Sequence, residues 1–121
     1  MSRKALVVDD NENNLMLEKD LLEVAGFKVF EAQNASSGIA IAKREKPDVI
    51  ILDVRLPDMR GGDAARVLRR SKETRGIPIV FVTASVMKEG RKELGGITNS
   101  IFIGKPINTR TFAGEISEFI K

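Results

Sequence analysis

Four apolar runs of this chain are each followed by reactive polar side chains, which are the residues best suited to chemistry. These side chains are Asp9 and Asp10, Asp53, Thr83 and, after one glycine, Lys105. If the runs are neighbouring parallel strands, their ends meet at one edge of one sheet, which is where open α/β sheets bind ligands. Three carboxylates, a hydroxyl and an ammonium group at that edge would form a site for Mg²⁺ and a phosphoryl group.

The adjacent pair Asp9 and Asp10 has two interpretations. Either residue could cap the helix that follows, since aspartate is favourable at a helix N-terminus, although Asn11 and Asn13 are also available for that role. Two neighbouring carboxylates also repel each other, and a hard divalent cation that prefers oxygen ligands relieves the repulsion. The pair alone favours a metal site only modestly.

Asp53 ends the most apolar run of the chain, which indicates a central strand of a parallel sheet. A carboxylate at the end of such a strand either lies at the sheet edge or pairs with a cation. At the edge it could attack phosphorus, once a metal ion neutralises the charge that would repel the phosphoryl oxygens.

Thr83 and Lys105 could equally be an ordinary strand-end threonine and a turn lysine. The bond between Lys105 and Pro106 adopts the cis form far more readily than other peptide bonds, and a cis bond would direct the ammonium group over the sheet edge. There it would pair with one phosphate oxygen while Thr83 donates a hydrogen bond to another. Only the four strand ends taken together favour the site over these simpler interpretations.

The elements that must position these residues alternate between strands and helices, which predicts βαβ units and a parallel sheet in one domain, residues 1–121. The predicted edge strand covers residues 27–31, and the predicted helices cover 14–25, 36–43, 62–71 and 109–121. Helical spacing predicts that the first helix turns Leu17, Leu21, Val24 and Ala25 toward the core. Gly38 is expected to weaken the second helix.

A further helix is expected over residues 88–97, but its sequence is poorly suited to one. The segment contains Gly90, Gly95 and Gly96, and each interior glycine costs a helix roughly 1 kcal/mol relative to alanine. We expect this helix to be short, frayed or displaced, with weak protection of its amides in hydrogen exchange.

The composition excludes several kinds of site. The chain has 121 residues, 42% hydrophobic and 31% charged, which is ordinary for one globular domain. It contains no cysteine and no histidine, which excludes disulfides, thiolate metal sites, a histidine base and a phosphohistidine of its own. No apolar stretch is long enough to span a bilayer, so we expect a cytoplasmic location.

A basic cluster in and around the third predicted helix suggests a different class of function, nucleic-acid binding. The cluster consists of Arg60, Arg66, Arg69, Arg70, Lys72 and Arg75. No aromatic residue is interleaved there to stack on bases, and a solvated helix face is the simpler interpretation. An affinity that falls steeply with salt would favour the nucleic-acid alternative.

A third class is a small α/β enzyme, either a flavodoxin-like electron carrier or a phosphatase with an aspartate nucleophile. The chain has no tryptophan or tyrosine to stack on a flavin and no glycine-rich nucleotide fingerprint. A phosphatase would also need a general acid for its leaving group, and Arg55 cannot serve as one.

Taken together, the motifs resemble those of the receiver domains of two-component response regulators, over essentially the whole chain. The segments concerned are Val8-Asp9-Asp10, Asp53 through Gly61, Thr83-Ala84, and Phe102 through Pro106. The opening segment is most similar to single-domain regulators of the cell-cycle type and to receivers of hybrid kinases. The resemblance implies a flavodoxin-like, doubly wound α/β fold with a five-stranded parallel sheet, strand order 2-1-3-4-5, and five helices.

The resemblance also implies the roles of the site residues. Asp53 would accept a phosphoryl group from phosphohistidine on a partner protein, and Lys105 would pair with that group. Mg²⁺, for which Mn²⁺ could substitute, would be held by Asp10, Asp53 and the backbone carbonyl of Arg55, with Asp9 acting through water. The chain would catalyse only its own phosphorylation and dephosphorylation, and so would not be an enzyme with a separate substrate.

A two-state switch is implied as well, in which Thr83, next to Ala84, moves to bond the phosphoryl group and Phe102 turns inward. The implied partners are a sensor histidine kinase or a histidine phosphotransfer protein, and either a downstream target or an appended domain of a longer parent. Membrane and nucleic-acid partners are not implied. We expect a monomer or a weak dimer that depends on phosphorylation.

Two residues depart from the common pattern of the family. Arg55 lies two positions after the expected acceptor, where its guanidinium group could bond phosphoryl oxygens or a site carboxylate. We expect it to change the lifetime of the phosphoaspartate. Phe102 replaces the commoner tyrosine, which keeps the rotamer switch but removes a hydroxyl group from the surface.

Overall fold

The computed structural model describes residues 3–84 and 96–121. Its strands are β1 (Lys4–Val8), β2 (Lys28–Ala32), β3 (Val49–Asp53), β4 (Ile79–Thr83) and β5 (Ser100–Gly104). Its helices are α1 (Glu12–Val24), α2 (Ala35–Glu45), α3 (Gly61–Arg70) and α4 (Phe112–Phe119). Strands and helices alternate from β1 to β4 as the sequence predicts, and the element ends given from the sequence differ by one to three residues from the observed ones.

The five strands form one parallel sheet in the order β2-β1-β3-β4-β5, which confirms the predicted topology. The described residues contain four helices rather than the five expected. The missing helix was predicted over residues 88–97, of which 88–95 lie outside the described part of the chain, so that prediction is not tested. Within the described part, no helix has the length and apolar character that crossing a bilayer needs.

The core has two layers because the parallel sheet is covered on both faces. Residues of α2 and α3, such as Ala42 and Leu68, pack on one face against alternate residues of β1 and β3. Residues of α1 and α4, such as Leu22 and Phe112, pack on the other face. The three central strands are therefore buried on both sides, and only their ends are available for a polar site.

The buried face of α1 is the predicted one only in part, since Leu21 packs against the core but its predicted neighbours do not. Val24 is 89% exposed and Leu17 is 39% exposed, whereas Leu15, Glu18 and Leu22 are the buried residues of this helix. The stripe that faces the sheet thus follows a spacing of three and four residues but includes an acidic side chain in its middle. A count of apolar residues alone selects the wrong stripe for this reason.

Gly38 has a packing role that the sequence prediction missed. It is buried in α2, and a Cβ atom at this position would lie 2.7 Å from Cγ2 of Val8 on β1. The glycine therefore allows the helix to approach the sheet closely, which compensates for its poor helix propensity.

Candidate functional site

The carboxyl ends of the central strands bring the predicted site residues together. The strand register places Asp53 beside Val82 and Thr83 beside Gly104, so that β3, β4 and β5 end at one edge. A cleft of about 330 Å³ opens there. It is lined by Asp10, Asn11, Asn14, Asp53, Arg55, Thr83, Ala84 and Lys105. Every strand-end residue named from the sequence except Asp9 lines this cleft, and Asp9 lies directly behind it.

The three aspartates form a compact acidic cluster. One carboxylate oxygen from each of Asp9, Asp10 and Asp53 lies within 4.8 Å of the other two. Asp9 and Asp53 are buried, with 1% and 7% of their surface exposed, whereas Asp10 is exposed. Like charges held this close repel each other, so the cluster favours a bound cation or a proton.

Neither aspartate of the pair Asp9 and Asp10 caps helix α1. The side chain of Asn11 accepts a hydrogen bond of 3.0 Å from the N–H of Asn14 and is the N-cap residue. Asp9 instead accepts the N–H of Asn11 at 2.9 Å through Oδ1. The capping interpretation of the acidic pair is therefore wrong, and both carboxylates face the site.

Lys105 joins the two buried carboxylates. Its Nζ atom lies 3.1 Å from Oδ2 of Asp53 and 3.2 Å from Oδ2 of Asp9. The backbone N–H of Lys105 donates to the carbonyl oxygen of Thr83 at 2.8 Å, which fixes the loop to the end of β4. The peptide bond between Lys105 and Pro106 is cis, as the sequence suggested.

Burial and the mutual charges of the pair shift the pKa values of both Asp53 and Lys105. Burial is the largest influence on the pKa of Asp53 and raises it, and the charge of Asp9 also raises it. The hydrogen bond from the Arg55 N–H and the contact with Lys105 lower this pKa, but it remains above its ordinary value. Burial alone would lower the pKa of Lys105, but Asp53 and then Asp9 outweigh it and raise that pKa above its ordinary value. Three carboxylates and one ammonium group are thus clustered at this site, an arrangement that favours a bound cation.

The loop after Asp53 holds the Asp53 carboxylate in place through the backbone. The N–H of Arg55 donates to Oδ1 of Asp53 at 3.0 Å. The loop returns so tightly that a Cβ atom at Gly61 would lie 2.6 Å from the carbonyl oxygen of Asp53. Asp58 in the same loop accepts the N–H groups of Ala35 and Ser36 at 2.8 and 2.9 Å. The loop thus connects Asp53 to the start of α2.

The two predicted switch residues lie on neighbouring strands. Thr83 ends β4 and lines the cleft with Ala84. Phe102 on β5 is half-buried, and its ring stacks on Phe81 with 5.6 Å between ring centroids. Their motion on phosphorylation stays a prediction.

Glu18 is the site residue that sequence reasoning missed. It is 2% exposed, with neighbours on α1 that are buried in the core. Burial, followed by the charge of Asp9, raises the pKa of Glu18 to about 8, although Lys105 acts in the opposite direction. The sequence carried no direct signal for it, because tertiary packing decides which stripe of α1 is buried.

The donor set of the cleft fits Mg²⁺. Mg²⁺ is a hard cation that takes oxygen ligands, and it commonly binds one or two carboxylates together with water and phosphate oxygens. The exposed Asp10 and the partly accessible Asp53 are suited to direct contact, while the more deeply buried Asp9 is suited to contact through water. A divalent cation would also neutralise part of the negative charge of the three aspartates.

Comparison with protein families gives one match that covers nearly all of the chain. The model of the response regulator receiver domain matches residues 5–117. Two similar curated relatives are the polar-differentiation response regulators DivK of Brucella anthropi and Brucella ovis. They are 33% and 32% identical to this chain over 122 residues, which cover 99% of this chain and 98% of each relative.

Solved structures with the same fold include the chemotaxis response regulator CheY4 of Vibrio cholerae. It superposes with a TM-score of 0.92 at 26% identity and covers 98% of this chain and 99% of its own. The receiver domain of a sensor histidine kinase of Pseudomonas aeruginosa superposes with a TM-score of 0.89 at 25% identity, covering 99% and 98%. That structure has a magnesium ion coordinated in its active-site cleft.

Proposed function

Because this chain belongs to the response regulator receiver domain family, we propose that it is a Mg²⁺-dependent phosphoacceptor in which Asp53 takes a phosphoryl group from a phosphohistidine. Receiver domains act in two-component signal transduction, where they exchange phosphoryl groups with histidine kinases or phosphotransfer proteins. The acceptor residue, the metal ligands and the switch residues are the specific parts of this proposal.

One observation carries the proposal: Lys105 reaches over the end of β3 and contacts the carboxylate of Asp53 at 3.1 Å, inside a cluster of three aspartates. This arrangement places a nucleophilic oxygen, a phosphate-binding ammonium group and metal-binding carboxylates around one cleft. A structural ion pair alone would not need two further carboxylates beside it.

In the proposed transfer, an oxygen of the Asp53 carboxylate forms a bond to phosphorus while the bond from phosphorus to the histidine nitrogen breaks. The electron pair of the broken bond stays on that nitrogen. Lys105, drawn away from Asp53, pairs with a phosphoryl oxygen. Mg²⁺, held by Asp10, Asp53 and the backbone carbonyl of Arg55, with Asp9 acting through water, would neutralise charge on the phosphoryl oxygens.

The positions of the two residues proposed for the output step support this proposal. Thr83 is in the cleft with Lys105, and Phe102 lies one strand away, packed against the core of the face that α2 and α3 cover. Movement of the Thr83 hydroxyl group toward the phosphoryl group would leave space that the ring of Phe102 fills. This two-state change would transmit phosphorylation to the surface around β5.

The chain, by this proposal, turns over only its own acyl phosphate and is not an enzyme with a separate substrate. Its phosphodonor is a sensor histidine kinase or a histidine phosphotransfer protein, and its output is a downstream protein or an appended domain. Mn²⁺ is expected to substitute for Mg²⁺. The cytoplasmic location and the phosphorylation-dependent weak dimer stay predictions.

Arg69 of the basic cluster is engaged in hydrogen bonds within the fold, which weakens the nucleic-acid alternative. Arg69 donates hydrogen bonds to the carbonyl oxygens of Ile77, Thr98 and Asn99, at distances between 2.8 and 3.2 Å. It holds the segments before β4 and β5 together and is not available to a phosphate backbone. Arg66 pairs with Asp63 at 3.0 Å. These contacts favour the solvated-face interpretation of the basic cluster.

The proposal is tested by incubating the protein with a small acyl phosphate, with and without Mg²⁺, and recording its intact mass. We expect one phosphoryl adduct, which requires Mg²⁺ and is absent from Asp53→Asn. The matched control is Asp20→Asn, which removes an exposed aspartate of α1 and should leave the adduct unchanged. An adduct of equal yield in Asp53→Asn would overturn the assignment of the acceptor.

A further inference from the structure

The loop between β3 and α3, residues 54–60, is closed at its base. The N–H of Gly61 donates to the carbonyl oxygen of Val54 at 2.8 Å, and Arg55 and Arg60 form an isolated antiparallel bridge. Arg55 lies in this narrow base, and its backbone carbonyl is one of the proposed Mg²⁺ ligands. The position of that carbonyl therefore depends on how the whole loop is held.

Asp58, at the tip of the loop, binds a different element of the fold. Its Oδ1 atom accepts the N–H of Ala35 at 2.8 Å, and its Oδ2 atom accepts the N–H of Ser36 at 2.9 Å. These two residues are the first of α2. Hydrogen bonds from a helix N-terminus to a carboxylate are charge-assisted and therefore stronger than neutral ones. Both carboxylate oxygens are used, and they tie the tip of the loop to α2.

Helix α2 already has a cap of its own. The side chain of Asn34, the N-cap residue, accepts the N–H of Ser37 at 2.8 Å, which is the usual way to begin a helix. Asp58 is therefore an additional acceptor, and its two bonds serve the loop as well as the helix. Leu56 and Met59, on either side of the tip, are half-buried against the core layer that α2 covers. The two hydrogen bonds add a fixed direction to this apolar contact.

We propose that Asp58 is a positioning residue, which ties the loop to α2 and so holds the backbone of Arg55 where Mg²⁺ binding requires it. This inference rests on the proposed phosphoacceptor function. Asp58 is exposed and is not among the described residues that line the cleft, so it acts through the loop. Without it, the loop would have to be ordered when the metal binds. Each backbone residue ordered at that moment weakens binding by about fivefold or more.

The test compares Asp58→Ala with Asn34→Ala, because each removes a side-chain acceptor from the N-terminus of α2 but only the first releases the loop. Both variants should unfold at a lower temperature than the parent protein. In calorimetric titration with Mg²⁺, we expect Asp58→Ala to bind about fivefold more weakly than the parent and Asn34→Ala to bind as the parent does. Asp58→Asn, which keeps one acceptor oxygen, should have an intermediate affinity.

The positioning role would be overturned by parent Mg²⁺ affinity in Asp58→Ala. It would also be overturned by equal losses in Asp58→Ala and Asn34→Ala, which would assign the effect to the stability of α2, or by equal losses in Asp58→Ala and Asp58→Asn, which would assign it to charge. If Asp58→Ala does not fold, Asp58→Asn is compared with Asn34→Ala instead. Failure of the parent protein to accept a phosphoryl group would refute the proposed function, whereas equal Mg²⁺ affinities refute only the role of Asp58.

Discussion

At the scale of single residues, the site is a cluster of carboxylates that one ammonium group cannot neutralise. Asp9 and Asp53 share Lys105, Asp10 stands beside them, and Glu18 lies behind. Two of these groups have raised pKa values, mainly because they are buried. The close approach of the three aspartates favours a bound divalent cation, which would neutralise part of their charge.

The raised pKa of Glu18 predicts how stability depends on pH. Its pKa is about 8 in the folded protein and near 4.5 when unfolded, so between these values the folded state binds one more proton. Stability contributed by this group is present at acid pH and is lost as pH rises, by at most roughly 1.4 kcal/mol per pH unit. Urea denaturation of the metal-free protein from pH 5 to pH 8 should show this decrease.

The matched variant for that measurement is Glu18→Gln, which cannot titrate. The difference in unfolding free energy between parent and variant isolates Glu18 from Asp53, whose pKa is also raised. A parent curve that runs parallel to the Glu18→Gln curve over this range would contradict the prediction.

Arg55 is predicted to lengthen the lifetime of the phosphoaspartate. Its side chain is exposed at the cleft, two residues after Asp53, where a guanidinium group can bond phosphoryl oxygens and hinder water. Arg55→Asn should therefore lose its phosphoryl group severalfold faster than the parent protein, as followed by intact mass over time. Arg75→Asn, which changes an exposed residue after α3, serves as the control. Equal rates of phosphoryl loss in all three proteins would contradict the prediction.

At this scale, prediction from the sequence succeeded for the polar side chains that lie at the ends of strands. Asp53, Thr83 and Lys105 could be named because each follows an apolar run, Lys105 after one glycine, and parallel strands end at a common edge. Glu18 could not be named, because its burial depends on which stripe of α1 faces the sheet. That choice is made by tertiary packing, and the apolar spacing pointed to Leu17 and Val24 instead.

At the scale of elements, α2 packs closely on β1 at Gly38. Gly38→Ala would place a Cβ atom 2.7 Å from Val8, well inside contact distance. Although alanine is the better helix former, we expect overpacking to dominate and to destabilise the protein by about 1–3 kcal/mol. Chemical denaturation measures the change directly.

The control for this packing prediction is Gly114→Ala in α4. No atom lies within 4 Å of a Cβ at Gly114, so helix propensity alone should stabilise the protein by roughly 0.5–1 kcal/mol. Opposite signs for the two substitutions are the expected result. Stabilisation by Gly38→Ala would show that the helix and sheet are less tightly packed than the structure indicates.

The predicted order of the described elements is correct because alternation of strands and helices can be recognised from local sequence patterns. The buried faces and the ends of the helices depend instead on packing between elements. The sheet order came from the family resemblance, since spacing alone leaves the strand order open. Gly38 was read as a weak point of α2 because the sequence does not show that Val8 lies opposite it. The expected helix over 88–97 remains a prediction.

At the scale of the whole molecule, metal binding should be linked to stability. A cation that binds only the folded state stabilises it by about 2.7 kcal/mol when its concentration is a hundred times its Kd. Thermal unfolding of the parent protein should therefore shift upward as Mg²⁺ is added. Asp10→Asn, which removes the exposed carboxylate of the acidic cluster, should fold normally and lose most of this shift.

The comparison protein for the Mg²⁺ experiment is Asp20→Asn, whose substituted side chain is exposed on α1, outside the acidic cluster. It should respond to Mg²⁺ as the parent does. A parent protein whose unfolding temperature is independent of Mg²⁺, at concentrations where calorimetry detects binding, would contradict the linkage.

The most direct test of the central claim is to locate the phosphoryl group. After reaction with an acyl phosphate and Mg²⁺, borohydride reduction converts a phosphorylated aspartate into homoserine, which peptide mass spectrometry can place in the chain. The account predicts homoserine at position 53 and at no other aspartate, and only when both Mg²⁺ and the phosphodonor are present. Homoserine at Asp9 or Asp10, or an unmodified Asp53 in a protein that carries the adduct, would contradict it.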